Sequence, residues 1–294
     1  MKLDGLKGHE IQGFWLIFAV LTIFMEIVYA LLFVLIGFSL GLIGGGGSIL
    51  AVPVLVYVLG YEAQIATGYS LFIIGITSFI GAFAFLKKRD FSLEAILQFA
   101  IPSVISVFCV RKYLVPNLPD VFFNIGTLVV TKQVLIMVVF AIVMFFSAIT
   151  MIRTGKNVAL KDLMWDEFYR MPFRVPALMF LGVLVGVLSG FVGAGGGFLI
   201  IPVLILFARV PMKKAIGTSL SIIAINSLIG FTGNIGAIEI DWKALLLFSG
   251  LSVLGIFIGM YAGKFVSGKK LKPAFGWFTL VVGILIIVKE LIIK

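Results

Sequence analysis

The chain has one cysteine, one histidine and 13 acidic side chains in 294 residues. A single thiol, Cys109, has no internal partner, so no disulfide framework exists and the redox compartment is not readable. Its place near the end of an apolar run, far in sequence from the motifs below, marks it as a structural thiol. One histidine excludes multi-histidine metal sites, and His9, close to the N-terminus, reads as a solvated side chain. No Walker loop, CxxC pair or catalytic triad pattern occurs. The chain is therefore not expected to be an enzyme, to hydrolyse ATP, or to need a cofactor or metal. Charge is scarce at 12% of residues, where soluble domains carry about a quarter.

What replaces charge is hydrocarbon. Hydrophobic residues make up 62% of the chain and the mean hydropathy is +1.23. One water-soluble core cannot hide that surplus, so the lipid bilayer is the expected partner and a multi-pass cytoplasmic-membrane protein the expected state. Barrel strands would alternate apolar and polar residues. The apolar runs here are unbroken and about twenty residues long, which predicts spanning helices. The net charge of +10 does not indicate nucleic acid, because the cations sit in the loops between apolar runs. The N-terminal run lacks a small-residue cleavage site and reads as retained rather than as a signal peptide. Trp15, Trp165, Trp242 and Trp277 read as interfacial anchors or packing residues.

Apolar segments fall at Ile11–Ile43, Ser48–Leu59, Ala66–Leu86, Leu93–Val110, Gln133–Ile152, Val175–Val192, Phe198–Ala208, Ala215–Ile235, Ala244–Gly263 and Pro273–Val288. Ser48–Leu59 and Phe198–Ala208 are too short to span, and a glycine cluster precedes each. Sliding the chain on itself by 149 residues brings Gly37, Gly41, Gly44, Gly46, Gly47 and Pro53 onto Gly186, Gly190, Gly193, Gly195, Gly196 and Pro202. Ala66, Gly68, Ser70, Ser78 and Gly81 then meet Ala215, Gly217, Ser219, Ser227 and Gly230 without a gap. The expectation is an all-α membrane protein of two repeats, each a glycine-rich interrupted or re-entrant helix pair followed by about three spans. The boundaries are 1–152 for the first repeat with its N-terminal extension, 153–174 for a cytoplasmic linker and 175–294 for the second repeat.

Cations set the sidedness. Loops holding Lys87, Lys88, Arg89, Arg153, Lys156, Lys161, Arg170, Arg174, Arg209, Lys213, Lys214, Lys264, Lys269, Lys270 and Lys272 contain fifteen, and the opposite set (Arg111, Lys112, Lys132, Lys243, Lys289, Lys294) contains six. The fifteen-cation side is predicted to be cytoplasmic. An odd number of spans per repeat inverts the second repeat, and inverted repeats with interrupted helices belong to secondary transporters. The first apolar run is long enough for a complete span plus one hairpin arm.

The clusters are Gly44-Gly45-Gly46-Gly47-Ser48 and Gly193-Ala194-Gly195-Gly196-Gly197. Runs of glycine unwind a helix, and unwound backbone survives at membrane depth only when buried or facing water. A helix restarting after such a run offers unpaired N–H groups and the positive end of its dipole, which suits an anion. The candidate substrate-binding residues are therefore Gly44, Gly45, Gly46, Gly47, Ser48, Gly193, Gly195, Gly196 and Gly197, with Ser70, Ser78, Thr218, Ser219 and Asn226 as hydrogen-bond donors. No lysine or arginine is expected among them. The competing use of any one of these hydroxyls is close packing or back-bonding to its own helix. Glu26 is either a proton carrier inside the membrane or an interfacial carboxylate.

Gly41-Leu42-Ile43-Gly44-Gly45-Gly46-Gly47 through Pro53, and Gly190-Phe191-Val192-Gly193-Ala194-Gly195-Gly196-Gly197 through Pro202, resemble the sulfite exporter TauE/SafE family, also called the toluene-sulfonate uptake permeases. Ala215-Ile216-Gly217-Thr218-Ser219-Leu220 strengthens the likeness, which covers both repeats. The resemblance implies movement of sulfite, sulfonates or related anions, with export the leading direction and uptake the alternative. In the first repeat Tyr69 stands where the second has Thr218, and it is a candidate for tuning the pocket. A homodimer is left open.

Overall fold

The computed structural model describes residues 4–87, 90–125, 128–154, 174–208, 210, 212–265 and 268–291. Among the described residues ten helices follow one another: α1 (Asp4–Ile43), α2 (Ser48–Pro53, prolonged by a π-helical turn over Val54–Val58), α3 (Ala63–Lys87), α4 (Leu93–Cys109, prolonged by a π-helical turn over Val110–Leu114), α5 (Lys132–Thr154), α6 (Arg174–Val192), α7 (Gly197–Leu206), α8 (Met212–Thr232), α9 (Trp242–Ala262) and α10 (Gly268–Leu291). By length and composition, seven of the described helices can cross a membrane, and α2 is short and apolar.

The distribution of polarity is that of a protein dissolved in lipid. Phe83, Phe146, Phe180 and Leu246 are 62–68% exposed on the outside. Thr67, Ser70, Thr77 and Ser78 on α3, and Thr218, Ser219, Asn226 and Ser227 on α8, are completely buried. In water the exposed phenyl and isobutyl groups would form a large unfavourable surface. In a bilayer they are solvated, while the hydroxyls must find partners inside. This is a multi-pass helical membrane protein.

Helices α2, α3, α4 and α6 to α9 are placed by the sequence pattern. The starts of α2 and α7, of α3 and α8, and of α4 and α9 are each 149 residues apart. The offset fails after α4, because Val121–Ile125 (β1) and Leu128–Thr131 (β2) form an antiparallel hairpin before α5. This hairpin is an addition to the all-helical architecture expected from the sequence. The β-branched and aromatic runs Val121-Phe122-Phe123 and Leu128-Val129-Val130, separated by Gly126-Thr127, carry the hairpin signal.

Packing pairs helices across the two halves: α3 lies against α8, α5 against α10, α1 against α9, and α4 against α6. Glycine makes the last two contacts close. A Cβ at Gly37, Gly255 or Gly259 would overlap the carbonyl of Ser252, Val34 or Phe38 across the α1–α9 seam. Gly182 and Gly186 would meet Phe99 and Ser103 across the α4–α6 seam. Spacing by four residues puts these glycines on one face, so the backbones touch and dispersion replaces the hydrophobic drive that lipid cannot supply.

Two expectations need correction. Helix α1 is one unbroken 40-residue helix, so the first run does not divide into a span and a separate arm. Cys109 is exposed on α4 rather than packed inside. The side chains of His9 and Trp15, residues 88–89 and most of the 153–174 linker lie outside the described residues.

Candidate transport site

Each glycine cluster ends one helix and starts a short one. Gly44 has φ +78 and Gly193 has φ +75, a backbone shape that side-chain-bearing residues rarely adopt. Their N–H groups close the preceding helices on the carbonyls of Leu40 (2.7 Å) and Ser189 (2.8 Å). The chain then turns and restarts at Ser48 and Gly197. The opening N–H groups of a restarted helix have no intrahelical acceptor.

The two loops meet in the interior. A Cβ on Gly197 would lie 2.7 Å from the Gly45 carbonyl oxygen, and one on Gly45 would overlap the Gly197 carbonyl. The loops are also exchanged between halves by matched hydrogen bonds. Ser70 on α3 donates to the Gly193 carbonyl, and Ser219 on α8 donates to the Gly44 carbonyl, both at 2.5 Å. Each hydroxyl also bonds back to its own helix, on Thr67 and Ile216. Ser48 donates to the Gly45 carbonyl at 2.8 Å. All of Gly44 to Ser48 and Gly193 to Gly197 are buried. The structure thus brings the glycine loops, Ser48, Ser70 and Ser219 together.

Further buried polar atoms on α3 and α8 have no partner, and one of them faces a glycine loop. The hydroxyls of Ser78 and Ser227, 149 residues apart, are buried and unbonded, as is the Asn226 side-chain oxygen. Ser227 Oγ lies against Gly195, where a Cβ would collide with it. The Asn226 amide donates to Ser103 Oγ at 2.7 Å. Buried polar atoms are nearly always satisfied, so the unbonded Ser227 hydroxyl beside the unwound backbone at Gly195 fits a place that a polar solute visits.

Other expected residues are elsewhere. Thr218 Oγ1 accepts the Ser92 N–H at 2.9 Å, and Tyr69 Oη accepts the Asp241 N–H at 2.7 Å. Ser92 and Asp241 are the N-caps of α4 and α9. The tyrosine-for-threonine exchange therefore falls at an anchor for the next helix, not beside the glycine loops. Glu26 is exposed on α1, 18 positions before Gly44, roughly 27 Å along a helix axis.

One buried charge at this centre does not stand out in the sequence pattern. By pattern Arg111 falls among the loop cations, but the π-helical prolongation of α4 runs through it, and it is fully buried. Its Nη1 donates to Thr67 Oγ1 at 3.0 Å, while Nε and Nη2 have no partner. A Cβ on Gly193 would be 2.5 Å from Nη2. The interior therefore does hold a cation. The signal was present: Phe108-Cys109-Val110 runs into Arg111 with no turn residue between. The loop split becomes fifteen to five, which sharpens the charge asymmetry.

A cavity of about 640 Å³ is lined by Gly41, Phe85, Asp90, Ile216, Met260 and Lys264 among others. Subtracting 149 from Met260 and Ile216 gives Arg111 and Thr67. The positions equivalent to these two cavity-lining residues are thus the buried, hydrogen-bonded Arg111–Thr67 pair.

Interrupted helices meeting at a buried polar centre, in a bundle with an apolar exterior, define a polytopic membrane transporter rather than an enzyme. The chain belongs to the sulfite exporter TauE/SafE family, whose model matches residues 29–286. It is 31% identical over 256 residues to a probable membrane transporter protein of Xylella fastidiosa (strain 9a5c), covering 86% of this chain and 91% of that one. A probable membrane transporter protein of Methanocaldococcus jannaschii is 27% identical over 208 residues, 68% of this chain and 70% of that one. The probable membrane transporter protein YunE of Bacillus subtilis (strain 168) is 26% identical over 239 residues, 78% and 83% of the two chains. No solved structure matches the chain.

Proposed function

We propose that the protein is a secondary transporter that exports a small sulfur-containing anion, sulfite or a short organic sulfonate, by alternating access between two inverted repeats. The repeats are residues 1–152 and 175–294. The observation that carries this reading is the reciprocal meeting of the two glycine loops, each receiving the serine hydroxyl of the opposite half. A site built equally from two halves can be exposed by either one moving against the other. The family supports transport, and the loop backbone, helix starts and hydroxyls support an oxyanion. The cavity reaching Asp90 and Lys264 lies on the cation-rich side, so the described conformation corresponds to one open to the cytoplasm.

Direction is testable in vesicles from cells producing the protein. Energised inside-out vesicles are expected to accumulate methanesulfonate or sulfite several-fold over vesicles lacking it. Accumulation confined to energised right-side-out vesicles would replace export by uptake.

A further inference from the structure

The buried arginine has no place in the dipole-and-hydroxyl site just described, and its surroundings are chemically specific. Charged side chains inside membrane proteins pair with one another or with carbonyls, or mark a substrate path. Arg111 is 0% exposed, and its one bond is to a neutral hydroxyl. Thr67 donates its own proton to the Gln64 carbonyl, at 3.0 Å, which leaves its oxygen to hold Nη1 in place. The atoms left over, Nε and Nη2, form one edge of the guanidinium. That edge presents two parallel N–H groups, the fork that matches two oxygens of one oxyanion.

The backbone delivers this edge to the glycine loop. The π-helical turn at Val110–Leu114 widens the end of α4, and turns of this kind frequently mark functional places. Gly193 and Gly233 have no side chains, and a Cβ on either would crowd the arginine, 2.5 Å from Nη2 and 2.9 Å from its Cβ respectively. The corresponding position in the other half is Met260, beside the open cavity. The pair of positions thus supplies one cation to the path, enough for one monovalent anion.

We infer that Arg111, held by Thr67 beside Gly193, is an oxyanion-binding site on the translocation path, taking a sulfonate or sulfite through its Nε–Nη2 edge. The inference rests on the transport reading above and adds to it the group that carries the counter-charge. With the anion elsewhere, the side chain rests on Thr67 beside Gly193. With the anion bound, its charge is compensated.

The purified full-length protein tests this with methanesulfonate and sulfite as probes. Wild type is expected to show a saturable rise in thermal midpoint with either anion. Arg111→Met should remove that rise, and Arg111→Lys, which keeps the charge but loses the fork, should weaken apparent affinity about tenfold. Lys112→Met, at an exposed neighbour lying over Phe108, should behave as wild type. Methanesulfonate should also protect Arg111 of the wild-type protein from phenylglyoxal, read by peptide mapping, a measurement that needs no variant. Equal saturation in wild type and both arginine variants, or equal modification of Arg111 with and without anion, would overturn the site. Flux by wild type that Arg111→Met leaves unchanged would overturn the site while leaving anion transport standing. Anion protection at Arg111 without any flux would support the site and contradict the transport reading.

Discussion

Replacing Gly45 or Gly197 with valine is expected to eliminate transport and to lower the thermal midpoint sharply, while Gly250→Ala lowers neither. The difference lies in what each new Cβ meets. At Gly45 and Gly197 it meets the backbone of the opposite loop, which cannot rotate away. Overpacking of this kind costs about 3 kcal/mol or more, because the two loops must separate. Gly250 has nothing within 4 Å and sits inside α9, where alanine even favours the helix by about 0.5–1 kcal/mol. Two further glycines separate crowding from backbone strain. Gly60 and Gly236 have φ +76 and +85 but open surroundings, so alanine there should cost only the left-handed penalty of about 1–2 kcal/mol. Gly193→Ala combines φ +75 with contact to Thr67 and Arg111 and should be far worse. Thermal unfolding in detergent alongside flux checks the series. A Gly193→Ala protein as stable as Gly60→Ala would remove the crowded centre.

The second large effect concerns sidedness. In a background with the exposed Cys109 changed to serine, cysteines at Lys112 and Lys243 should label almost fully with an impermeant maleimide in intact cells. Cysteines at Lys87 and Lys264 should label only after the membrane is opened. All four side chains are exposed, so access rather than burial decides the outcome. The expectation follows from the cation asymmetry and from the single span that separates Lys87 from Lys112 (α4) and Lys243 from Lys264 (α9). Labelling of 87 and 264 from opposite faces would dismantle the inverted arrangement.

How much of this was legible in the sequence depends on whether the determinant is local. Length and hydropathy decide where helices run, so α2 to α4 and α6 to α9 fall near the expected segments. Glycine clusters mark the two breaks because unwinding is a property of the glycines themselves. The partners of Ser70 and Ser219 are 123 and 175 residues away, and nothing in the spacing names Gly193 and Gly44 as their acceptors. Tyr69 and Thr218 look like pocket residues because they adjoin those serines, yet one helical step turns them onto the caps of α4 and α9. Gly195 reads from the sequence only as a candidate binding glycine. Its φ of +64 and its contact with Ser227 mean that a side chain there strains the structure as well.

Arg111 is the most instructive miss. A cation at the end of an apolar run is ordinarily a loop residue, and only the continuation of α4 carries it inside. It also changes the expected affinity. Helix starts and hydroxyls alone suggest binding on the order of millimolar to tens of micromolar. A charge-assisted hydrogen bond contributes about 1.5–3 kcal/mol, or roughly tenfold or more in affinity. Binding at tens of micromolar or tighter is therefore expected.

The central claim, that this membrane protein carries a small sulfur oxyanion, is tested most directly by counterflow in liposomes holding the purified chain. Liposomes preloaded with unlabelled methanesulfonate should take up labelled sulfite or methanesulfonate transiently above equilibrium. Other oxyanions should compete, and amines and neutral sugars should have little effect. Selective movement of a cation, or no anion flux under any imposed gradient, would contradict the account.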